Sequence, residues 1–381
     1  MTGRRSSQTS LREANSRRVL DVLRAGRATQ AEIARATDLS GATVSTIVRD
    51  LLSAGAVEAV DHAGRGQLVQ LSARSGLTAG IAFGSTRALL ALGDLTSTVR
   101  AERIVPLPAA LSADEALAAA LQALDELLAA EGVDGQALAA VGVSLATPLV
   151  AGSSVAHHTR WAGYDLEAAL HRLLPCPVHI DNDANLGARA ESRWGELAGH
   201  RVGAWVKAST GIGVGVVLDG RVHRGAKGLA GELGHVQTHP DGQLCGCGNR
   251  GCLELTAGTP ALVREYAAIT GRSVTALELV AAAVAGDVVA RRIVDDAGTR
   301  IGTALAGLVT LIDPERVVVG GDLAVAGDLL LDPLVAAMRR GAMPAVADDV
   351  SVAVSSLGER AEVLGALALA LDHAIPQVTG S

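Results

Sequence analysis

Three cysteines and the histidines that precede them form the most distinctive chemical pattern in this 381-residue sequence. Cys245, Cys247 and Cys252 lie in a glycine-rich stretch, and His235 and His239 come shortly before it. Three thiolates and one imidazole are a standard tetrahedral set for zinc, and glycines let the backbone wrap tightly around an ion. A disulfide is the competing interpretation, but Cys245 and Cys247 are too close for an easy bridge and a cytosolic setting keeps thiols reduced. The pattern therefore predicts a structural Zn2+ site.

Carboxylates and amides on either side of this stretch are suited to a polyhydroxylated ligand. Asn182 and Asp183 lie where a predicted strand ends and a helix begins, and Glu232, His235 and Glu254 lie around the cysteines. Such groups bind vicinal hydroxyls by paired hydrogen bonds when they converge on a cleft. A carboxylate such as Asp183 can also deprotonate a hydroxyl as a general base. Taken alone, however, the Asp/Asn cluster is more typical of an ordinary helix cap.

Residues 16–71 are predicted to form three short helices followed by a β-hairpin. A glycine ends the first helix, Thr29 and Glu32 form a capping box for the second, and Ser40 caps the third. The turn at residues 37–40 is short, as a helix-turn-helix requires. The elements are predicted at Ser16–Ala25, Thr29–Ala36, Gly41–Ala54, Val57–Val60 and Leu68–Leu71. This order of elements predicts a winged helix-turn-helix.

The outward face of the third predicted helix is suited to double-stranded DNA. Small and hydroxylated residues there allow a close approach to base edges and phosphates, and Arg49 reaches further. Arg65 lies between two glycines in the hairpin turn, as expected of a wing tip that contacts a phosphate or a narrow minor groove. The predicted DNA-binding residues are Ser40, Gly41, Ala42, Thr43, Ser45, Thr46, Arg49 and Arg65. The alternative interpretation is a three-helix bundle used for protein contacts.

Charge is distributed unevenly along the chain, whose net charge is −7. Residues 1–75 hold 11 Arg against 7 Asp and Glu, whereas the remaining chain is strongly acidic. A small basic head on an acidic body predicts that only the head contacts a polyanion, although chance alone also produces an excess of this size. The head contains none of the chain's six aromatic residues, which argues against stacking on RNA or single-stranded nucleic acid.

From residue 79 onward, strands alternate with helices in the pattern of an α/β fold. Strand-rich stretches begin at about residues 79 and 201 and are each followed by helices, which predicts two lobes of related design. Strands are predicted at Gly80–Phe83, Ala88–Leu92, Val99–Pro106, Ala139–Leu145, Val178–Ile180, Val202–Lys207, Gly213–Leu218, Arg316–Val319 and Val350–Val354. Helices are predicted at Ser112–Glu131, Asn182–Glu196 and Glu359–His373. With no uncharged apolar run of membrane-spanning length and no apolar core for a secretory signal, a soluble cytoplasmic protein is expected.

Taken together, these motifs resemble the ROK family (repressors, open reading frames and kinases), and the winged helix-turn-helix resembles its repressor branch. The most specific stretch runs from Gly231-Glu232-Leu233-Gly234-His235 through the three cysteines to Glu254. Supporting motifs are Thr210–Val217, Asn182-Asp183-Ala184-Asn185, Val318–Gly321 and Gly358–Leu371. The resemblance covers about residues 12–375.

The resemblance implies a two-lobed, actin-like (ribonuclease H-like) sugar-kinase fold behind the winged head. Zinc would be bound by His235, Cys245, Cys247 and Cys252. Sugar hydroxyls would be held by Asn182, Asp183, Glu232, His235 and Glu254. His235 would touch both the metal and the sugar. A bound ligand would therefore fix the conformation of the metal loop and the angle between the two lobes. The geometry of the dimer would transmit this change to the DNA-binding wings.

The predicted domain organisation follows from the same motifs. A DNA-binding domain is predicted at residues 12–71, a linker at 72–78 and a sugar-binding effector domain at 79–381. Within the effector domain, lobe one would take about 79–185 with a C-terminal helix at about 358–375, and lobe two about 186–357 with the zinc loop 235–254.

Three departures from the family pattern concern catalysis and the pocket. The family's first phosphate loop reads Asp-x-Gly-Gly-Thr, and Ala82 takes the place of the aspartate that a kinase needs for its magnesium–phosphate assembly. The retained Asp183 is explained by sugar binding alone, because a base without bound ATP transfers no phosphoryl group. Ala146-Thr147-Pro148 stands where a Pro-Gly pair is frequent, and His157-His158 where an Asn is common. The last two changes predict an altered pocket.

The sequence therefore predicts a sugar-responsive DNA-binding transcriptional regulator, a repressor of carbohydrate-metabolism genes that lacks kinase activity. Its partners would be a palindromic operator in double-stranded DNA, a monosaccharide or sugar-derivative effector, and further copies of itself in a homodimer or tetramer. The alternative is an ATP-dependent sugar kinase with an appended DNA-binding head, in which Asp183 would be the base. A third interpretation is a DNA-binding protein whose cleft has lost its ligand.

Overall fold

The computed structural model describes residues 3–60, 67–72, 76–133, 138–150, 153–154 and 159–378. The chain begins with a small module of helices and short strands, which has its own apolar core. Its elements are α1 (Gly3–Ala25), β1 (Ala28–Thr29), α2 (Gln30–Thr37), α3 (Gly41–Ser53), β2 (Val57–Val60) and β3 (Leu68–Leu71). The strands pair antiparallel in the order β1-β3-β2. The predicted wing residue Arg65 lies outside the described residues.

Side-chain caps set the starts of α2 and α3 where the sequence predicted them. Thr29 accepts a hydrogen bond from the Glu32 amide, and Glu32 Oε2 accepts one from the Thr29 amide at 2.8 Å, which completes a capping box. Ser40 Oγ accepts from the Thr43 amide at 3.2 Å at the start of α3. Each cap satisfies backbone donors that the first helical turn leaves without partners. Both helices therefore begin at a cap whose side chain satisfies the first turn.

Helix α1 is longer than predicted, because it begins at Gly3 rather than at Ser16. The prediction relied on the apolar face that starts at Val19, and the preceding residues are polar. No proline interrupts them, so the backbone continues the helix without an apolar stripe to signal it. Among the described residues, neither α1 nor any other helix has the length and apolarity needed to cross a membrane.

Residues 77–194 build a mixed five-stranded sheet with helices packed against it. Its elements are β4 (Leu77–Phe83), β5 (Arg87–Asp94), β6 (Val99–Pro106), α4 (Ala113–Ala130), β7 (Leu138–Leu145), β8 (Leu149–Val150), β9 (Ser153–Ser154), α5 (Leu166–Leu173), β10 (Val178–Asn182) and α6 (Asp183–Trp194). The order is β10-β7-β4-β5-β6, with β10, β7 and β4 parallel and β4, β5 and β6 antiparallel. Leu77 and Thr78, predicted to belong to the linker, are part of β4 because both are buried and pair with β5.

Residues 203–378 contain a second five-stranded sheet with the same pattern. Its elements are β11 (Gly203–Ala208), β12 (Ile212–Leu218), β13 (Arg221–His223), α7 (Glu254–Ala257), α8 (Thr259–Thr270), α9 (Ala276–Val284), α10 (Val288–Ile312), β14 (Arg316–Gly320), α11 (Asp328–Gly341), α12 (Pro344–Ala347), β15 (Ser351–Val354) and α13 (Ala361–Val378). The order is β13-β12-β11-β14-β15, in which three antiparallel strands again lead into parallel ones. The two sheets thus share one design, as the repeated order of elements predicted.

Helices α6 and α13 lie side by side between the two sheets. Helix α13 packs on β4 and β7 of the first sheet, and α6 packs on β11 and β12 of the second. A Cβ on Gly365 of α13 would come within 1.9 Å of the Leu186 carbonyl oxygen of α6. A Cβ on Gly142 of β7 would come equally close, 1.9 Å, to the Ala366 carbonyl oxygen of α13. Glycine therefore permits direct backbone contact among β7, α13 and α6.

Candidate metal centre and adjoining pocket

Four side chains that the sequence assigned to zinc converge in the loop between β13 and α7. His235 ends a short 3-10 helix, and Cys245, Cys247 and Cys252 follow on the glycine-rich loop. Their candidate ligand atoms all lie within 4.8 Å of one another. Cys245 Sγ is 3.6 Å from His235 Nδ1, and Cys247 Sγ is 3.7 Å from Cys252 Sγ. A tetrahedral zinc with bonds of about 2.0–2.3 Å has ligand–ligand edges of roughly 3.5–3.8 Å, so the donor set fits this ion.

The backbone of this loop holds the four donors together. Cys245 N–H donates to the Asn249 carbonyl at 2.7 Å, which closes the turn between the first two thiols and the third. Gly251 has φ +63°, and a Cβ there would come within 1.6 Å of the His239 carbonyl oxygen, so no other residue fits. All the cysteines are free thiols, and the competing disulfide is not formed. Of the two candidate histidines, His235 joins the cluster and His239 does not.

A cavity of about 370 Å³ adjoins the metal centre and lies between the two sheets. Its volume is in the range of ~300–1,000 Å³ that is usual for small-molecule sites. Phe83 and Trp161, with ring centroids 4.8 Å apart, form an apolar wall. The five residues predicted to bind a sugar all line the cavity: Asn182, Asp183, Glu232, His235 and Glu254. An apolar wall together with carboxylate, amide and imidazole groups suits a ligand that carries both hydroxyls and C–H bonds.

Asn182 lines this cavity and also caps α6, so the two interpretations of its cluster are compatible. Its Oδ1 accepts from the Ala184 amide at 2.9 Å, and its Nδ2 donates to the Thr147 carbonyl at 3.0 Å. Asp181, beside it, accepts from Arg224 Nε at 2.8 Å. These bonds hold the amide at the edge of the pocket, because both its polar ends have protein partners. Thr147, in one of the stretches that departs from the family pattern, thus orients a pocket residue.

Asp183 is held by a lysine that the sequence analysis did not identify. Asp183 Oδ2 lies 2.5 Å from Lys207 Nζ, and its Oδ1 accepts from the Ala184 amide at 2.8 Å. The same Lys207 Nζ lies 2.7 Å from Glu362 Oε1. The two carboxylates raise the pKa of Lys207 against the opposing effect of burial, so it remains an ammonium. Only the fold reveals this contact, because Lys207 lies near the end of β11 and Glu362 lies in the first turn of α13.

Glu232 and His235 connect the pocket to the metal centre. Burial together with Asp183 and Glu254 raises the pKa of Glu232 to about 7. Glu232 Oε2 lies 3.9 Å from His235 Nε2, while His235 Nδ1 faces Cys245. The two ring nitrogens of His235 thus face different sites, one toward the pocket and one toward the metal ligands. A histidine in this position orients the metal ligands on one side and the pocket carboxylate on the other.

Three further positions concern the phosphate loop and the pocket: one predicted to exclude catalysis, one that the sequence did not suggest, and one predicted to alter the pocket. Ala82 is buried on β4 in an apolar cluster with Val363 and Leu367 of α13. Because its side chain is a methyl group, this position offers no carboxylate to a magnesium–phosphate group. Arg160, which the sequence analysis missed, lines the pocket and donates to the carbonyls of Ser85 at 2.8 Å and Leu107 at 3.2 Å. These bonds fix the loop that follows β4. His157 and His158 lie outside the described residues.

The predicted DNA-contacting surface of α3 lies on the side of the N-terminal module away from its core. Ser40, Gly41, Ala42, Thr46 and Arg49 are exposed, and Thr43 and Ser45 are half-buried. The opposite side of α3 buries Val44, Ile47, Val48 and Leu51. Amphipathic burial thus leaves small residues and one guanidinium at the surface, as the sequence pattern predicted.

Comparison with known proteins finds a family model that matches the body of the chain and a relative that matches part of it. The model of the ROK family matches residues 78–373, and a model of a domain of unknown function matches residues 13–72. A xylose repressor of Caldicellulosiruptor bescii is 30% identical over 230 residues, which cover 57% of this chain and 58% of that repressor.

Solved structures agree with the fold described above. The ROK family glucokinase of Streptomyces griseus, solved with glucose and AMPPNP, is 31% identical with a TM-score of 0.68; the match covers 77% of this chain and 99% of that chain. A ROK family transcriptional regulator described as a homolog of the E. coli MLC protein matches 97% of this chain and 100% of its own, with a TM-score of 0.82 and 23% identity. The predicted α/β, actin-like sugar-kinase fold with a helical N-terminal region is therefore confirmed.

Proposed function

The chain belongs to the ROK family, and on this premise we propose that it is a sugar-responsive DNA-binding repressor of carbohydrate-metabolism genes that lacks kinase activity. The observation that carries the proposal is the combination, in one chain, of an exposed α3 face suited to DNA with a pocket whose phosphate-loop position is Ala82. Similarity to a xylose repressor supports the same conclusion. The DNA-binding domain would be at residues 12–71 and the effector domain would begin with β4 at Leu77, so the linker would be shortened to residues 72–76.

DNA binding would use the outward face of α3 in the major groove. Serine and threonine hydroxyls suit phosphates and base edges, and Arg49 at the surface suits a phosphate or a guanine. Arg65 would contact the adjacent minor groove. A homodimer, alone or within a tetramer, would place two copies of α3 on the halves of a palindromic operator.

The effector would be a neutral monosaccharide or a sugar derivative. Asp183, Glu232 and Glu254 bring three carboxylates to the cavity, which favours hydroxyl donors and disfavours anionic ligands. His235, Cys245, Cys247 and Cys252 would hold a structural zinc beside it, which would stiffen the loop that carries Glu232 and Glu254. The same loop would therefore hold the residues of both the sugar site and the metal site in place.

Absence of kinase activity is supported by one feature besides Ala82, the environment of Asp183. Both carboxylate oxygens of Asp183 have protein partners, the Lys207 ammonium at 2.5 Å and the Ala184 amide at 2.8 Å. A carboxylate held in this way is a poor acceptor for the proton of a sugar hydroxyl. The second candidate function is an ATP-dependent sugar kinase, which the 31% identity to a ROK glucokinase favours.

Selection of sheared genomic DNA by the purified, zinc-replete protein tests the proposed function. We expect enrichment of a discrete inverted repeat, with carbohydrate genes beside it. Folded protein that enriches no sequence would contradict the repressor proposal. An ADP-release assay with ATP, magnesium and D-glucose or D-xylose then separates the two candidates, since sustained ADP release in the presence of one sugar would establish the kinase instead.

Removing the charge of Glu232 is expected to weaken sugar binding about 10- to 100-fold at a pH of about 8.5, above its pKa of about 7, because a hydrogen bond from a hydroxyl to a charged acceptor contributes about 1.5–3 kcal/mol. Titration calorimetry of Glu232→Gln with D-glucose and D-xylose measures this loss. Glu359→Gln is the matched control, since Glu359 pairs with Arg87 at the surface and does not line the pocket. Equal sugar affinity of the two variants would remove Glu232 from the binding site.

A further inference from the structure

Helices α6 and α13 run in the same direction, from the pocket toward the N-terminal module. Asp183 begins α6 and Glu362 lies in the first turn of α13, and both carboxylates contact Lys207 Nζ, at 2.5 and 2.7 Å. All three side chains are largely buried. Lys207 therefore joins the pocket ends of the two helices by buried ion pairs.

The other ends of the same helices meet at Asp372. Arg189 and Arg193 of α6 both form ion pairs with this carboxylate of α13, the latter at 3.3 Å. Arg24 of α1 reaches the same Asp372 at 3.3 Å and donates to the Leu371 carbonyl at 2.7 Å. A single carboxylate thus joins α6, α13 and the N-terminal module.

Arg24 is well placed to transmit movement into the module. Its side chain is only 11% exposed, and its two carboxylate partners are Asp21 at 2.8 Å and Asp372 at 3.3 Å, so a shift of Asp372 removes one of two charge contacts from a largely buried guanidinium. Leu20, one turn before Arg24, and the adjacent Leu23 are buried in the core of the module with Val44 of α3. The DNA-facing helix therefore packs on the same helix that Asp372 holds.

Between these two ends the helix pair leaves little room for independent movement. Gly365 of α13 is in backbone contact with Leu186 of α6, so neither helix can slide toward the other. Ten residues separate Glu362 from Asp372, a helical rise of about 15 Å. Packed cores of this kind respond to a local change by switching arrangement rather than by deforming continuously.

We propose that Lys207 and Asp372 are positioning residues that couple the sugar pocket to the DNA-binding module through α6 and α13. A sugar hydroxyl that binds Asp183 competes with the Lys207 ammonium for the same carboxylate. This competition changes how the ion pairing of Lys207 is shared between Asp183 and Glu362. A resulting shift of α6 and α13 moves Asp372, and the contacts of Arg24 with Asp372 transmit this movement to α1. The inference rests on the proposed function, because it names the route by which the sugar site regulates DNA binding.

The first experiment measures the ratio of operator Kd values with and without saturating sugar, using the operator recovered by genomic selection and D-glucose or D-xylose as probe. Coupling between two sites is commonly about 5- to 150-fold. We expect a ratio of this size in the wild type and a ratio below about 2 in Asp372→Asn. Sugar affinity of Asp372→Asn without DNA should stay within about 3-fold of the wild type, because Asp372 does not line the pocket.

Glu102→Gln is the matched control for the first experiment. It removes the ion pair with Arg360, which immediately precedes α13 and lies outside the Lys207–Asp372 route, and both partners are partly exposed. This variant should keep the wild-type ratio. An Asp372→Asn protein with the full wild-type ratio would overturn the proposal, as would an equal loss in Glu102→Gln.

The second experiment needs no sugar and so separates failure of this inference from failure of the proposed function. Lys207→Met keeps the apolar stem and removes the ammonium, and hydrogen exchange is followed in peptides that cover residues 17–25 of α1. We expect exchange there to rise by about 5-fold or more, with thermal melting to verify that the variant is folded. Unchanged exchange in α1 would overturn the inference. If the wild type selects no operator, the proposed function fails while this measurement still decides the coupling between pocket and module.

Discussion

Substitution of Cys252 by serine is expected to release the bound zinc and to lower the Tm of the protein by about 10 °C. Cys252 is fully buried, two residues before the start of α7, and its thiol lies 3.7 Å from that of Cys247. Serine binds zinc far more weakly than thiolate, so three ligands would remain. Loss of a structural metal is one of the few changes that lower the free energy of unfolding by about 4–5 kcal/mol. Each kcal/mol of lost stability lowers the Tm by roughly 2–4 °C in a domain of this size.

Cys176→Ser is the matched control, because Cys176 is also buried but lies outside the metal cluster. Burial raises the pKa of its thiol to about 11, as expected of an inert core residue. Elemental analysis should give one zinc per chain for the wild type and for Cys176→Ser, and none for Cys252→Ser. Retention of one equivalent of zinc by Cys252→Ser would remove Cys252 from the ligand set. A metal-free wild type with an unchanged Tm would contradict a structural role for the ion.

The metal centre could be predicted from the sequence because its signal is local. The three cysteines and both candidate histidines lie within eighteen residues, so their spacing carries the ligand chemistry. The choice between His235 and His239 needed either the family resemblance or the fold, since both precede the cysteines at plausible distances. Helix caps are local in the same sense, and Thr29, Glu32 and Ser40 were assigned correctly. A short-range pattern of polar side chains is therefore enough to place both kinds of feature.

The lysine between Asp183 and Glu362 could not be predicted in this way. Its partners lie on α6 and α13, and the pairing of β11 with β14 and the packing of α13 decide that the three groups meet. The same holds for Arg24 and Asp372, which are 348 residues apart. Sequence spacing holds no information on such contacts, because the chain segments between them determine the geometry. For this reason residue types alone suggested the sugar-binding residues as candidates, and the family resemblance was needed to bring them into one site.

Placing a carboxylate at Ala42 is expected to weaken operator binding by about 100-fold or more while leaving the fold intact. Ala42 is exposed in the first turn of α3, two residues after the capping Ser40. An acidic side chain in the first helical turn interacts favourably with the helix dipole, so Ala42→Glu should keep or slightly raise the stability of α3. On a surface that faces DNA phosphates, the same carboxylate introduces like-charge repulsion worth several kcal/mol, and each 1.4 kcal/mol is a tenfold loss of affinity.

Ala42→Gln separates charge from size, because glutamine has nearly the same shape as glutamate and no charge. Fluorescence anisotropy with the selected operator should show a loss of less than about 10-fold for Ala42→Gln, and the glutamate variant should lose most at low salt, where phosphate repulsion is least screened. Both variants should keep the wild-type thermal shift with sugar, since α3 does not line the pocket. Wild-type operator affinity in Ala42→Glu would show that DNA binds elsewhere on the chain, and the module would then be the protein-contact bundle that its sequence also allowed.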